Sequence, residues 1–164
     1  MGNLLKSDFY YGAFLSALLN NGKARPSLFD DTKSKSRRIY KFATEQSDKD
    51  HIVFTKYVEG KNLKKHTRWT FSFTNDEITQ LGNLNEQYGN VKIALICASK
   101  DLKDCELAVV SFDQAMKCLG AYIGIKSSYI SVLNKKGQHG LYVCGSGVAE
   151  EDAYVIARDA INTL

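Results

Sequence analysis

The sequence predicts an α+β fold, with a mixed or antiparallel central sheet flanked by helices, in a single globular domain over residues 1–164. Segments with a helical apolar period alternate with β-type segments in the order αβββαββαββα. The chain has the usual length of one domain, and no repeat or linker interrupts it. Its 44% apolar and 24% charged residues are close to the average of soluble folded proteins.

The first element is predicted to be a helix that Ser7 caps and that ends near Asn21-Gly22. Apolar residues in the interval 9–18 recur at helical spacing and extend most of the way around the helix. We therefore expect a helix that packs on more than one side.

Three strands follow in the predicted order. Residues 38–44 and 51–58 are rich in β-forming side chains and predict a hairpin with a long turn over 45–50. The third strand, 68–74, alternates cleanly, with Trp69, Phe71 and Phe73 on one face. These strands are expected to form an antiparallel meander.

The second half begins with a capping box, Thr74 with Glu77, at the start of a helix that runs toward Tyr88. The apolar run 91–98 predicts a central strand, and 107–110 predicts its neighbour. A second capping box, Ser111 with Gln114, starts a short helix that ends at Gly120. Segments 128–133 and 141–144 predict a hairpin, and 149–162 predicts a final helix.

The first six elements follow the αβββαβ order of the restriction-endonuclease-like core, and the sequence is similar to that family in this order alone. That family places an Asp near the second strand and a Glu or Asp two residues before a Lys in the third, where they bind a divalent metal. Here the second strand offers only Lys56, and residues 68–74 contain no carboxylate. The resemblance therefore implies no catalytic residue, metal site or cofactor.

Four cysteines, Cys97, Cys105, Cys118 and Cys144, are spread along the chain at spacings that match no zinc pattern. We expect reduced thiols, with Cys97 and Cys144 buried, in a soluble cytoplasmic protein without a membrane segment. The abundance of Lys, Asn, Ile, Tyr and Phe is typical of an AT-rich genome, such as that of a low-GC bacterium or its phage.

Basic charge is concentrated in residues 33–68, which hold 11 Lys and Arg residues against 4 acidic ones, while the whole chain has a charge of +4. In the predicted meander, the groups before the first strand and after the second can meet at one end of the sheet. They would then form one anion-binding patch. Its predicted members are Lys33, Lys35, Arg37, Arg38, Lys56, Lys61, Lys64, Lys65 and Arg68.

Lys56 stands out because period-2 alternation places it on the face that carries Ile52, Phe54 and Val58. A lysine on an apolar face must either extend its head group to water or meet an anion or carboxylate. We expect either an edge-strand lysine or a ligand contact on the face of the sheet.

Two further patterns favour ordinary structural roles. Gly145-Ser146-Gly147 lacks the spacing of a phosphate-binding loop, and the acidic residues 150–152 that follow would repel an anion, so we expect it to cap the final helix. The three histidines, His51, His66 and His139, have no metal-ligand spacing and are expected at the surface.

The sequence therefore predicts a non-enzymatic binding protein that holds nucleic acid, a nucleotide or an acidic protein surface through residues 33–68. Arg37, Arg38 and Arg68 would clamp phosphates, Lys61, Lys64 and Lys65 would attract them, and Lys56 would contact the ligand. One alternative is a nuclease-like or phosphotransfer enzyme whose acidic residues converge only in three dimensions, with Asp30, Asp31, Asp48 and Asp50 as candidates. Another is a protein-binding adaptor or inhibitor that pairs through a strand edge. The sequence leaves the oligomeric state open.

Overall fold

The computed structural model describes residues 3–20, 24–28, 37–44, 47–100, 102–124 and 128–159, with the backbone alone for 24–28, 43–44 and 47–50. Its helices are α1 (Lys6–Asn20), α2 (Asn75–Tyr88) and α3 (Phe112–Leu119), with short 3-10 turns at Ala121–Ile123 and Glu150–Asp152. The strands are β1 (Ala24–Leu28), β2 (Arg38–Thr44), β3 (Ser47–Glu59), β4 (Lys61–Asn62), β5 (His66–Phe73), β6 (Lys92–Ala98), β7 (Glu106–Ser111), β8 (Ser128–Lys135), β9 (Leu141–Gly145) and β10 (Tyr154–Ile156).

The strands form two five-stranded sheets, so the α+β class is confirmed although one central sheet was expected. The first sheet has the order β1-β2-β3-β6-β7, and the second has the order β10-β9-β8-β5-β4. In the first sheet β3 and β6 run parallel, with Phe54 opposite Ile93, and the other neighbours are antiparallel. The second sheet is antiparallel throughout.

The main core lies between the two sheets, and α2 and α3 contribute Leu81, Leu84 and Leu119 to it. Helix α1 packs on the opposite face of the first sheet, where Tyr10, Tyr11 and Phe14 form a second apolar cluster. The side chains that the sheets bury in the main core include Ile39, Ile52, Phe54, Ile93 and Leu95 from the first sheet and Trp69, Phe71, Phe73, Ile130, Val132, Leu141 and Val143 from the second.

Local sequence signals are confirmed at both capping boxes. Thr74 caps α2 with Glu77 at the third helical position, and Ser111 caps α3 with Gln114 in the same way. Gly120 ends α3 in the left-handed conformation. The predicted burial of Trp69, Phe71 and Phe73 is also confirmed, as are the hairpins β2–β3 and β8–β9.

The expected antiparallel meander is wrong. Strand β3 has β2 on one side and the parallel strand β6 on the other, so β5 finds no free edge on β3. Instead β5 pairs with β4 and β8 in the second sheet. The structure also has five strands rather than three between α1 and α2, because β1 and β4 are added, so the predicted element order that resembles the restriction-endonuclease-like core is not the observed one.

The final helix predicted over 149–162 is also wrong within the described residues. Residues 150–152 form a single 3-10 turn, and Tyr154–Ile156 form β10 against β9. Ile156 is buried while Val155 is exposed, which is the alternation of a strand. Pairing with the exposed edge of β9 has outweighed the local helical preference of this segment.

Two boundaries in the first half differ from the prediction. Strand β3 begins at Ser47 rather than near His51, so residues 47–50 of the expected turn belong to the strand. Helix α1 begins at Lys6, and the Asp8 carboxylate accepts a hydrogen bond from the Leu5 amide, so Ser7 is not the cap. Phe9 is 60% exposed, so α1 packs on one side rather than on several.

Candidate functional site

Lys56 lies on the inner face of the first sheet, as alternation predicted, with only 6% of its surface exposed. Its Nζ donates to Glu77 Oε2 at 2.7 Å and to the Ser72 carbonyl oxygen at 2.6 Å. The Phe73 ring lies 4.6 Å from the same ammonium group. The head group therefore points into the protein and meets a carboxylate of the chain itself.

Glu77 is the partner of Lys56 and also part of the cap of α2. Its Oε1 accepts from the Thr74 amide at 3.1 Å, while its own amide donates to Thr74 Oγ1 at 3.1 Å. Burial lowers the pKa of Lys56, and the hydrogen bond and charge of Glu77 act in the opposite direction. The charged pair holds the first turn of α2 against β3.

The two arginines at the start of β2, Arg37 just before the strand and Arg38 as its first residue, also have partners inside the chain. Arg37 Nε donates to Gln80 Oε1 at 2.7 Å, and its Nη1 lies 3.9 Å from Glu77 Oε2. Arg38 Nη2 donates to Asp8 Oδ1 at 2.9 Å, and its guanidinium lies over the Tyr11 ring. The Leu5 amide and, next, Arg38 lower the pKa of Asp8. Both arginines therefore join the first sheet to helices.

Four further predicted residues, Lys61, Lys64, Lys65 and Arg68, lie on the β4–β5 hairpin of the second sheet. Arg68, on β5, is opposite Lys61 in the β4–β5 pairing, and its Nη2 donates to Glu150 Oε2 at 2.8 Å. Lys61, Lys64 and Lys65 are exposed, and none of them forms an ion pair with another residue that the structure describes. Their ammonium groups are available to solvent.

A second lysine-bearing hairpin lies beside this one. The Lys136 amide donates to the Lys65 carbonyl oxygen at 3.2 Å, and Lys135 is opposite His66 in the β5–β8 pairing. Lys135 also lies 4.4 Å from the Tyr142 ring centroid. We call Lys61, Lys64, Lys65, Lys135 and Lys136 the double-hairpin surface. The sequence predicts a turn at 134–137 but does not identify Lys135 and Lys136 as site residues. No local sequence pattern connects them with Lys65.

The structure thus divides the predicted patch. Arg37 and Lys56 come together at Glu77, and Lys61 and Arg68 come together on the second sheet. The expectation that both groups meet depended on the meander, which does not form. Lys33 and Lys35 lie outside the described residues.

The acidic residues of the enzymatic alternative also fall outside what the structure describes, since Asp30 and Asp31 are not covered and the side chains of Asp48 and Asp50 are not given. Among the described side chains, no group of three or more His, Cys, Asp and Glu residues is placed to hold a metal ion. Cys97, Cys118 and Cys144 are buried free thiols, and Cys105 is an exposed one.

The Gly145-Ser146-Gly147 turn contacts the end of α3 rather than the start of a following helix, which corrects the expected capping role. The Gly147 amide donates to the Cys118 carbonyl oxygen at 2.8 Å. Ser146 Oγ accepts from the Tyr129 amide at 2.9 Å and lies 3.3 Å from the Leu119 carbonyl oxygen. The turn therefore satisfies carbonyl groups that α3 leaves free at its carboxyl end.

Comparison with models of known protein families, with curated proteins and with solved structures finds no match to this chain. None of the helices that the structure describes has the length and hydropathy needed to cross a bilayer.

Proposed function

We propose that this protein is a non-enzymatic nucleic-acid-binding protein that holds the phosphate backbone on the double-hairpin surface. The observation that carries the proposal is the hydrogen bond from the Lys136 amide to the Lys65 carbonyl oxygen, which keeps two lysine-bearing hairpins side by side. Lysines close together at a surface attract a polyanion and release its condensed counterions. This charge array spans segments that are distant in the sequence.

The proposed contacts are electrostatic. Lys61, Lys64, Lys65 and Lys136 are exposed and act as separate point charges along the surface. Glu150, which begins the acidic turn 150–152, is paired with Arg68. Several separate charges on two adjacent hairpins suit the repeated phosphates of a nucleic acid better than they suit a single nucleotide.

Three of the residues first expected to touch the ligand have other roles in this proposal. Lys56 is buried against Glu77, and Arg37 and Arg38 hold helices to the first sheet. Arg68 keeps its place beside the lysines, but its contact with Glu150 makes it a secondary contributor. The proposed surface is therefore smaller than the 33–68 segment and extends to the β8–β9 hairpin.

The test compares binding of labelled single-stranded DNA, duplex DNA and RNA over a salt series for the wild type and for Lys64→Glu/Lys65→Glu. We expect log K to fall linearly with log salt in the wild type, by about 0.7 to 0.9 per phosphate contact. The variant should bind at least tenfold more weakly and show a shallower slope. The control variant is Lys103→Glu/Lys117→Glu, which makes the same change of charge at two other positions, one on a loop and one on α3. It should bind nucleic acid with the affinity of the wild type.

If both variants lose the same affinity for nucleic acid, the effect comes from net charge alone. The double-hairpin surface would then not be the binding site. Binding that salt does not weaken would instead favour a protein-binding adaptor. Cleavage of the nucleic acid after addition of Mg²⁺ would contradict the non-enzymatic part of the proposal and favour the nuclease-like alternative.

A further inference from the structure

A cleft of about 330 Å³ lies where the parallel strands β3 and β6 end. It is bounded by the β4–β5 hairpin on one side and by the loop after β6 on the other. Clefts at the carboxyl ends of parallel strands are frequent ligand sites, and this volume is within the range of small-molecule pockets. Its lining residues are Gly60, Asn62, Thr67, Trp69, Ala98, Ser99, Lys100 and Asp104.

The base of the cleft is closely packed and hydrogen-bonded. Trp69 is 1% exposed, and its Nε1 donates to the Ala98 carbonyl oxygen at 2.8 Å. The Gly60 amide donates to the same oxygen at 3.1 Å, and a Cβ at Gly60 would collide with the indole. On the hairpin wall, Thr67 Oγ1 donates to Asn62 Oδ1 at 3.0 Å. This hydrogen bond orients the two side chains toward each other at the cleft.

The opposite wall is braced by its own contacts. The Leu102 amide donates to the Ser99 carbonyl oxygen at 3.1 Å, and the Ser99 amide contacts Cys105 Sγ at 3.3 Å. Leu102 has a φ of +64°, a left-handed conformation that is unfavourable for a non-glycine residue. Unfavourable backbone conformations persist where the surroundings enforce them, and they concentrate at functional sites. This loop carries Lys100 and Asp104.

The charges of the cleft indicate the kind of ligand. Lys100 and Asp104 are both exposed at its rim, and the structure gives no ion pair for either among the residues it describes. A simple anion would be attracted by Lys100 and repelled by Asp104, and a simple cation would meet the reverse. A small molecule that has both charges gains from both side chains.

We propose that this cleft binds a small zwitterion of the α-amino-acid class. The ligand carboxylate would face Lys100, its ammonium would face Asp104, and Asn62 and Thr67 would bind its remaining polar groups. The inference goes beyond the nucleic-acid function, since no lysine of the double-hairpin surface lines the cleft.

The chain itself supplies the reporter, because Trp69 is its only tryptophan and lines the cleft. The experiment titrates the wild-type protein with each of the twenty free amino acids and follows Trp69 fluorescence, with calorimetry on the same samples to detect binding that leaves the fluorescence unchanged. We expect a saturable response to at least one amino acid. Its amine without the carboxylate and its acid without the amine should each bind at least tenfold more weakly.

Two single variants locate the site. Lys100→Met and Asp104→Asn change exposed side chains, and each should weaken amino-acid binding at least tenfold, whereas Lys103→Met, on the same loop outside the lining, should bind as the wild type does. Lys64→Glu/Lys65→Glu should leave the titration unchanged, which separates this site from the nucleic-acid surface. Absence of saturable binding by both methods, or equal binding by both cleft variants and the wild type, would overturn the proposal.

Discussion

Glu77 connects two kinds of stabilising contact through one carboxylate. One oxygen accepts from the Thr74 amide at the start of α2, and the other accepts from Lys56 on β3. Both side chains are buried, so the desolvation of each charge must be offset by the other and by their hydrogen bonds. A capping residue thereby becomes the counter-ion of a buried lysine.

Removing the Glu77 charge should therefore be costly. We expect Glu77→Gln to lower the free energy of unfolding by about 3–5 kcal/mol, because it leaves the Lys56 ammonium buried without a counter-charge. Urea denaturation at neutral pH measures this change. The double variant Lys56→Met/Glu77→Gln should recover a large part of the loss, since neither charge remains.

Glu86→Gln is the matched control, because Glu86 is exposed on the same helix. It should change the free energy of unfolding by no more than about 0.5 kcal/mol. A similar effect of the two Glu→Gln changes would show that the Lys56–Glu77 pair does not stabilise the fold.

At the scale of elements, the Gly145-Ser146-Gly147 turn joins β9 to the end of α3. Both glycines lie against backbone, since a Cβ at Gly145 would collide with the Tyr129 and Cys118 carbonyl oxygens and a Cβ at Gly147 with that of Lys117. The pattern that resembles a fragment of a phosphate loop is thus explained by close packing of two backbones.

Gly147→Ala should destabilise the protein by about 1–3 kcal/mol, because the added methyl group forces the turn away from α3. Gly82→Ala is the control within a helix, where nothing lies within 4 Å of the added Cβ. It should stabilise the protein by about 0.5–1 kcal/mol through helix propensity. Thermal unfolding of both variants measures the difference, and a change of the same sign in both would contradict this account of the turn.

At the scale of the whole molecule, burial sets the response to alkaline pH. It raises the pKa of the thiols of Cys97, Cys118 and Cys144, with that of Cys118 rising from 9.0 to about 12. In the unfolded chain these thiols lose their protons at lower pH than in the folded protein. The unfolded state then binds fewer protons, so stability falls as the pH rises through this interval.

We therefore expect the free energy of unfolding to decrease from about pH 9 upward, as measured by urea denaturation at a series of pH values under reducing conditions. Lys56 opposes this trend, since its lowered pKa makes stability rise as the pH approaches 10.5. The variant Cys118→Ala removes one of these thiols. Its free energy of unfolding should therefore decrease less steeply with rising pH than that of the wild type. An unchanged slope in this variant would contradict the role of Cys118.

Most individual elements of this protein follow from its sequence alone, because their signals are local. Capping boxes start α2 and α3, and alternation on β5 defines which side chains are buried. The same alternation placed Lys56 on the inner face, although it did not identify Glu77 as its partner. Such signals depend on neighbours within a few residues, so they can be recognised without knowledge of the fold.

The way in which those elements combine depends on long-range pairing, which the sequence pattern does not show. The parallel strand β6 pairs with the edge of β3 where the expected meander would place the next strand. The segment expected to be a helix pairs with β9 as a strand. The same long-range pairing separates Arg37 from the lysines and brings Lys136 beside Lys65. Distant segments compete for hydrogen-bonding strand edges and for apolar faces, and this competition decides which segments pair. No local pattern in the sequence predicts its result.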